Sequence, residues 1–360
     1  MQPLAVFSSL LLIGALRGTT ACPEPNNDSL SARWYSVGNP TGDEPKTNNA
    51  WPVTEEGVQP VRYCWVKQSD KASLQAILNA AIEKWSYAMQ NSALQIIPDQ
   101  TNGPNICGGN GVRDDALQIE DISDSDSGAM TTQGYWGMEG QMDPGRHTMK
   151  FFVEYPGRNP HPNDVVTMAH ELGHAIGLEH EHARPDAAES IWFYCENLYD
   201  YDDVKARIQP PDTIDAACKS RSIARKYGFS AWAYLPSEDH GMIGQNAWSK
   251  KFDRDSIMIY GSYDGGKKLP PTDNSYGKPV LLGHSPGDKD PNAGQRYKIY
   301  MGGSPNKAAA GISEGDTARV AQLYPPKNAD DADMAGANDA EWQGTSKAVA
   351  RRGVKTAMPR

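Results

Sequence analysis

The chain has 360 residues, of which 38% are hydrophobic and 22% are charged, so it is long enough for one large globular domain or two small ones. Its formal net charge of -10 argues against nucleic acid or an anionic membrane surface as a partner. Glycine and proline are plentiful, with 34 and 26 residues, and their number predicts long irregular segments.

The N-terminus, residues 1–21, has the pattern of a signal peptide. Residues 3–16 are almost all apolar or small, and the small residues at 19–21 suit a cleavage site. The apolar stretch is too short for a comfortable membrane span, and the sequence offers no second candidate. We therefore expect a secreted, extracellular protein with no membrane span. A buried N-terminal helix and a lipid anchor on Cys22 are alternatives that this pattern favours less.

The five cysteines point to disulfides, because secreted proteins meet an oxidising environment. Cys64 and Cys107 bracket the first helical region, and Cys195 and Cys218 bracket a loop-rich segment. These two pairs are the expected disulfides, although spacing alone does not fix the connectivity. Cys22 is then the odd residue, which is free, paired elsewhere or removed with a pro-segment.

Residues 22–50 are rich in Asn, Pro, Asp and Gly, and we expect an irregular N-terminal segment or a pro-segment there. After it, residues 61–66 alternate in polarity like a strand. Ser69 or Asp70 can cap the next segment, where apolar residues recur at helical spacing and predict one long core helix. These apolar residues are Leu74, Ile77, Leu78, Ala81, Ile82, Trp85 and Met89.

Three further strands are expected, at residues 93–97, 116–120 and 147–155. Between the last two lies the acidic, Gly-rich segment 121–145. It lacks the register of an EF-hand calcium loop, so we expect a solvated loop. This order of strands and helices predicts an α+β upper lobe, built of a twisted sheet and two long helices.

The most informative motif is H-E-x-x-H-x-x-G-x-x-H, which begins at His170. His170 and His174 are four residues apart, so on a helix they lie on one face and can hold the same ion. Glu171 occupies the place where zinc hydrolases carry their general base. Gly177 lets the helix stop and turn, which can bring His180 to the same ion. Three imidazoles and a water form an open, catalytic zinc site with one ion per chain.

Two other interpretations of the motif are weaker. A buried amphipathic helix with incidental histidines fits the apolar stripe of Val165, Met168, Leu172 and Ile176, but it does not explain the glutamate, the glycine and the third histidine together. A structural zinc site usually recruits cysteines and four protein ligands. No cysteine lies near this motif.

Further along the chain, residues 256–261 read Ser-Ile-Met-Ile-Tyr-Gly. Together with the histidine motif, this run makes the chain resemble the metzincins, and within that clan the astacin family. Glu181 after the third histidine is the astacin choice, and the run as far as Asp186 resembles the astacin H-E-x-x-R-x-D continuation. The resemblance departs at Leu178, where astacins often have an aromatic residue, and at Ile259, where they often have histidine.

The resemblance implies roles for two residues of this Met-turn. Met258 would form an apolar floor beneath the metal. Tyr260 would ligate zinc at rest and swing away to stabilise the transition state. His182 is a rival for the third ligand position by proximity, but the family's turn would point it elsewhere than His180.

The resemblance also implies a metzincin-type, two-lobed α+β catalytic domain over residues 51–326. Its lower lobe, from residue 187, has little regular pattern and is expected to be mostly irregular, organised by the Met-turn and by a closing helix near 312–324. The tail at 327–360 is rich in Ala, Asp and Gly, and we expect it to be disordered.

The function implied is that of a secreted, monomeric zinc endopeptidase acting on protein or peptide substrates, in which a zinc-activated water attacks the peptide bond and Glu171 is the general base. A strand bordering the cleft, 147–155 or its neighbour, would pair with extended substrate. Two other functions stay open. One is a secreted metzincin-fold binding or toxin-like module with little turnover, and the other is a zinc hydrolase of non-peptide amides or esters.

Overall fold

The computed structural model describes most of the chain between residues 50 and 326. The fully described residues are 50–125, 128–136, 145–157, 160–236, 251–267, 277–285 and 296–326, and the backbone is also described at 247–249 and 342–344. The expected signal peptide, the segment 22–49 with Cys22, and nearly all of the expected disordered tail lie outside these residues. Within the described part, no helix is both long and apolar enough to cross a membrane.

The upper lobe is built on a sheet of five strands in the order β2-β1-β3-β5-β4. Its strands are β1 (Gln59–Trp65), β2 (Leu94–Pro98), β3 (Leu117–Asp121), β4 (Met130–Thr131) and β5 (Thr148–Phe151). The first four strands of that order pair in parallel, and β4 pairs antiparallel with β5 at the edge. The described residues are thus mixed α and β, as expected.

The predicted strands lie where they were expected, but not all of them have the expected length. The strands expected near 61, 93 and 116 are β1, β2 and β3. The segment expected to be a strand over 147–155 is paired only over β5, because Val153 N–H donates to Ser123 Oγ at 2.9 Å and Glu154 N–H to Asp164 Oδ1 at 2.9 Å. The segment 121–145, expected to be a loop, contains β4.

The first helical region is interrupted. Helix α1 (Gln68–Lys84) is followed by the short helix α2 (Ser86–Gln90), so the expectation of one long helix is wrong at Trp85. There the backbone tightens, and Trp85 N–H donates to Ile82 O, three residues back, at 3.0 Å. The buried Trp85 indole donates to Ala169 O at 3.0 Å and joins this region to the next helix, α3 (Pro162–Ile176).

The start of α1 also differs from the expectation that Ser69 or Asp70 caps it. Lys67 is the cap residue, and Asp70 lies in the first turn. Its Oδ2 accepts the N–H of Lys67 at 2.9 Å. Asp70 therefore satisfies a backbone donor at the helix start from three residues inside, as in a capping box.

The lower lobe is more regular than expected. It contains the three antiparallel strands β6 (Ile191–Phe193), β8 (Leu281–His284) and β9 (Arg296–Tyr297) and the helices α4 (Tyr201–Arg207), α5 (Ile214–Ala217), α6 (Arg221–Lys226) and α7 (Glu314–Leu323). A second buried apolar cluster, which includes Phe229, Tyr234 and Ile259, gives these elements a core of their own. The backbones of β7 (Ala247–Ser249) and β10 (Trp342–Gly344) pair antiparallel.

Both expected disulfides are present among the described cysteines. Cys64 is bonded to Cys107 and Cys195 to Cys218, with Cα–Cα distances of 5.2 and 5.8 Å. The first disulfide joins β1 to the loop before β3. The second links the segment directly after β6 to the residue that follows α5.

Helix α7 is the closing helix expected near 312–324. Ser313 caps it and forms a capping box with Asp316. At its other end the buried Tyr324 hydroxyl donates to Ile176 O at 2.5 Å, at the last residue of α3. Trp51 also packs at this end of α3, where its indole N–H donates to Ala175 O at 2.8 Å.

Candidate metal centre

The metal-site helix, α3 (Pro162–Ile176), begins with proline at its first position, where a missing N–H costs nothing. Its apolar stripe, which includes Met168 and Leu172, lies in the main core. The side chains of His170 and His174 project from the opposite face of the helix. Both helix-borne histidines are buried, so the core fixes the direction from which they approach an ion.

The helix ends at Gly177, which takes a left-handed conformation with φ 113°. Gly177 N–H donates to His174 O at 2.8 Å, and Leu178 N–H donates to Gly173 O at 2.9 Å. A side chain at position 177 would be strained in this conformation. The turn reverses the chain and places His180 opposite the two helical histidines.

The three motif histidines meet at their Nε2 atoms. Nε2 of His180 lies 3.1 Å from that of His170 and 3.0 Å from that of His174. Tetrahedral zinc with Zn–N distances of about 2.0–2.1 Å separates its nitrogen ligands by roughly 3.3 Å. Among the described residues, these three histidines form a group that could hold a metal ion, and its spacing fits one zinc ion.

Hydrogen bonds prepare two of these rings for a metal. His170 Nδ1 lies 2.8 Å from Ile257 O, and His174 Nδ1 lies 3.0 Å from Leu178 O. Because a carbonyl only accepts, each Nδ1 carries the hydrogen and Nε2 keeps its lone pair for the ion. Burial lowers the pKa of His170 to about 4 and holds the pKa values of His174 and His180 well below 6.5. The three rings are therefore neutral near pH 7.

His182, the rival third ligand, lies outside this cluster. Its Nε2 lies 3.1 Å from Ala233 O, and its Nδ1 accepts Tyr260 N–H at 3.2 Å. Both ring nitrogens are thus used by the backbone, and neither has a lone pair left for a metal.

Glu171, within the histidine motif, and Tyr260, in the Met-turn, are the two candidate catalytic residues. Glu171 is fully buried on α3, next to His170. The Tyr260 ring centroid lies 4.5 Å from that of His180 and 5.9 Å from that of His170. The helix thus carries a buried carboxylate directly after His170, and a phenol ring packs near His180 and His170.

Met258 packs against the metal-site helix at Gly173. A Cβ built on Gly173 would overlap the Met258 sulfur, so this contact needs a glycine. Met258 O also accepts Glu181 N–H at 3.0 Å. The Met-turn thus touches the helix and the residue that follows the third histidine.

Glu181 is the centre of a buried charged cluster that the sequence only partly indicated. Arg184, from the same motif, donates to its Oε1 at 2.9 Å, and Asp253 N–H donates to that oxygen at 2.7 Å. Arg319 of α7 donates to Oε2. Asp316 of the same helix accepts Ser256 Oγ–H at 2.6 Å. No sequence signal singled out Arg319 and Asp316, because they lie far from the motif in the chain.

The edge strand of the upper sheet also lies near the histidine cluster, within the segment that was expected to be a loop. Strand β4 lies at the outer edge of the sheet, and three residues after its end Gly134 N–H donates to His174 O at 2.8 Å. Gln133 Nε2 donates to Gly177 O at 3.5 Å. The edge strand is thereby tied to the end of the metal-site helix.

The segment that carries the histidine motif is similar to a known family. Residues 160–217 match the family model of astacin, which describes a family of peptidases. The chain is astacin-like. The matched segment contains α3, the third histidine, Glu181 with its partner Arg184, and Cys195 of one disulfide. The protein is an astacin-like zinc metalloendopeptidase whose three-histidine cluster can hold one zinc ion.

Two solved structures are similar to most of this chain. High choriolytic enzyme 1, a hatching enzyme zinc-protease from Oryzias latipes (medaka fish), is 16% identical with a TM-score of 0.44, over 77% of this chain and 95% of that chain. Myroilysin is 13% identical with a TM-score of 0.41, over 78% and 97% of the two chains. No curated protein matches the sequence.

Proposed function

We propose that the protein is a secreted endopeptidase in which His170, His174 and His180 hold one zinc ion and Glu171 is the general base. The convergence of the three Nε2 atoms beside a buried glutamate carries this proposal. Zinc bound there would lower the pKa of a water toward ~7 and polarise the scissile carbonyl. Glu171 is not one of the converging ligands, so its carboxylate can serve in proton transfer.

Glu171 would take part in two successive transfers of the same proton. It accepts the proton from the attacking water and then delivers it to the nitrogen of the leaving amine. Burial of the Glu171 side chain would keep bulk water from competing for that proton. The outcome is two peptide fragments, each with a normal terminus.

Tyr260 would stabilise the oxyanion that forms during attack. Its position is supported by the ring contact of 4.5 Å with His180 and by the bond from its own N–H to His182 Nδ1. His182 thus has a role as a fixed support for the backbone of Tyr260. In this proposal Met258 is the apolar floor beneath the metal.

Extended substrate would bind along β4. This strand is the antiparallel edge of the upper sheet, and the contact of Gly134 with His174 O places its end at the zinc helix. Backbone hydrogen bonds to an edge strand hold a peptide without demanding a particular sequence. We therefore propose β4, the neighbour of β5, as the substrate-pairing strand.

Export is supported by the two disulfides and by the apolar N-terminus. We propose that residues 1–21 are the signal peptide, 22–50 an N-terminal or pro-segment, 51–326 the catalytic domain and 327–360 a disordered tail. We further propose that the mature protein acts as a monomer.

The test is casein cleavage by the purified, mature protein with and without a metal chelator. We expect cleavage that the chelator abolishes and that added zinc restores. Zinc binding without cleavage of casein or of small ester and amide substrates would favour a binding module. Hydrolysis of esters or non-peptide amides without casein cleavage would favour the other zinc hydrolase.

A further inference from the structure

The closing helix reaches the zinc site through the residue Ile257. Ile257 O accepts the Nδ1 hydrogen of His170 at 2.8 Å, and Ile257 N–H donates to Asp316 Oδ2 at 2.8 Å. Asp316 also accepts Ser256 Oγ–H at 2.6 Å and the N–H of Ser313 at 3.2 Å. One carboxylate of α7 therefore holds the stretch of backbone that orients His170.

A second route runs from the same helix to His180. Arg319 donates to Glu181 Oε2, and Glu181 directly follows His180 in the chain. Arg319 Nη1 also lies 3.5 Å from Asp316 Oδ1. The contact between Arg319 and Asp316 joins the two routes, and the Nε2 atoms of His170 and His180, 3.1 Å apart, close them into a ring of contacts.

The ring is made of buried charges. Asp316 is 0% exposed, Glu181 2% and Arg319 6%. Charges buried to this degree cost several kcal/mol each unless they are paired and hydrogen-bonded. Helix α7 already packs through the apolar residues Val320 and Leu323, so attaching the helix does not require the charged groups. Their directional bonds end instead on the residues beside two zinc-site histidines.

We propose that Asp316 and Arg319 are positioning residues for the zinc site, where Asp316 sets the Ile257 carbonyl that orients His170 and Arg319 sets Glu181 beside His180. This inference rests on the ligand roles of His170 and His180 in the proposed function. Neither α7 residue touches the ion or the substrate. Both act through the residues that hold the ligands. In known metal sites, residues that hydrogen-bond to the ligands orient them in the same way.

The experiment measures zinc affinity of the full secreted chain by competition with a chromophoric chelator. The variants are Asp316→Asn and Arg319→Gln, and Val320→Ala is the matched control on the same helix. Both ring variants are expected to bind zinc about 10–100-fold more weakly than the wild type. Val320→Ala creates a cavity in the core, so it should lower the melting temperature and leave zinc affinity unchanged.

Cobalt substitution supplies a second readout, because the visible spectrum of Co²⁺ reports ligand geometry. Arg319→Lys keeps the charge but cannot span two carboxylates, so it should fold and give an altered cobalt spectrum with an intermediate loss of zinc affinity. Ring variants that melt early, like Val320→Ala, with wild-type zinc affinity and cobalt spectrum would overturn the inference. Failure of the wild type to bind zinc would instead overturn the proposed function.

Discussion

At the scale of single residues, the metal site depends on which ring nitrogen carries the hydrogen. The carbonyls of Ile257 and Leu178 take the Nδ1 hydrogens of His170 and His174. That choice leaves both Nε2 lone pairs aimed at one point. His182 shows the contrast, because both its nitrogens are held by backbone groups. Sequence spacing alone left the two histidines near position 180 as rivals, and these contacts separate them.

Tyr260→Phe should lower kcat more than it raises KM, because the phenol is proposed to bind the oxyanion and not the bound substrate. Loss of one such donor typically costs about 10²–10³ in kcat. Zinc content should stay near one ion per chain, since three imidazoles remain. Steady-state kinetics with a thermal melt check this. An unchanged kcat with a lower melting temperature would assign Tyr260 to packing alone.

Because of the buried His147, we expect the folded protein to lose stability in acid. The ring is buried, with Nδ1 donating to Asp115 O at 2.8 Å and Nε2 accepting Trp136 N–H at 2.8 Å. Burial lowers the pKa of His147 to about 4 from its usual 6.5. The unfolded chain therefore binds the extra proton first. Above pH 6.5 the neutral His147 ring makes its full contribution to the free energy of unfolding. That free energy falls by up to ~3 kcal/mol as the pH drops toward 4.

His147→Gln removes this titration. Urea unfolding of the variant and the wild type between pH 7.5 and pH 4 should show a smaller loss of unfolding free energy in the variant. The difference between the two proteins cancels the other acid-sensitive groups. Parallel pH profiles for both would show that His147 does not control acid stability.

At the scale of elements, α3, its terminal turn and the two disulfides were predictable because their signals are local: helical spacing, a glycine at a fixed offset, and cysteines that bracket one region. The break at Trp85 was not, because a tightened turn leaves the apolar spacing intact. Strand β4 (Met130–Thr131) is too short to show an alternation. Arg319 lies 138 residues from Glu181, and no local pattern links them.

Gly173→Ala should destabilise the contact between α3 and the Met-turn. Alanine is a better helix former than glycine, but its Cβ would overlap the Met258 sulfur. Overpacking of this kind typically costs about 1–3 kcal/mol. Denaturant unfolding measures the loss. The double variant Gly173→Ala, Met258→Ala should be more stable than the sum of the two single losses predicts, and simple additivity would contradict the proposed clash.

At the scale of the whole molecule, the α+β class followed from the order of strands and helices, while the regularity of the lower lobe did not. Its helices α4, α5 and α6 have between four and seven residues, which is too short for a clear periodicity. They are held by the second apolar cluster and by the Cys195–Cys218 disulfide. The zinc site lies where α3, the Met-turn and α7 meet, so its geometry depends on residues from distant parts of the chain.

The most direct test of the zinc-hydrolase account is one comparison of Glu171→Gln with the wild type, in which zinc content and casein cleavage are measured on the same samples. Glutamine keeps the size of the buried side chain but cannot accept the proton from water. The variant should retain one zinc ion per chain and lose about 10²–10⁴-fold in turnover. Cleavage near the wild-type rate by the zinc-loaded variant would contradict the account.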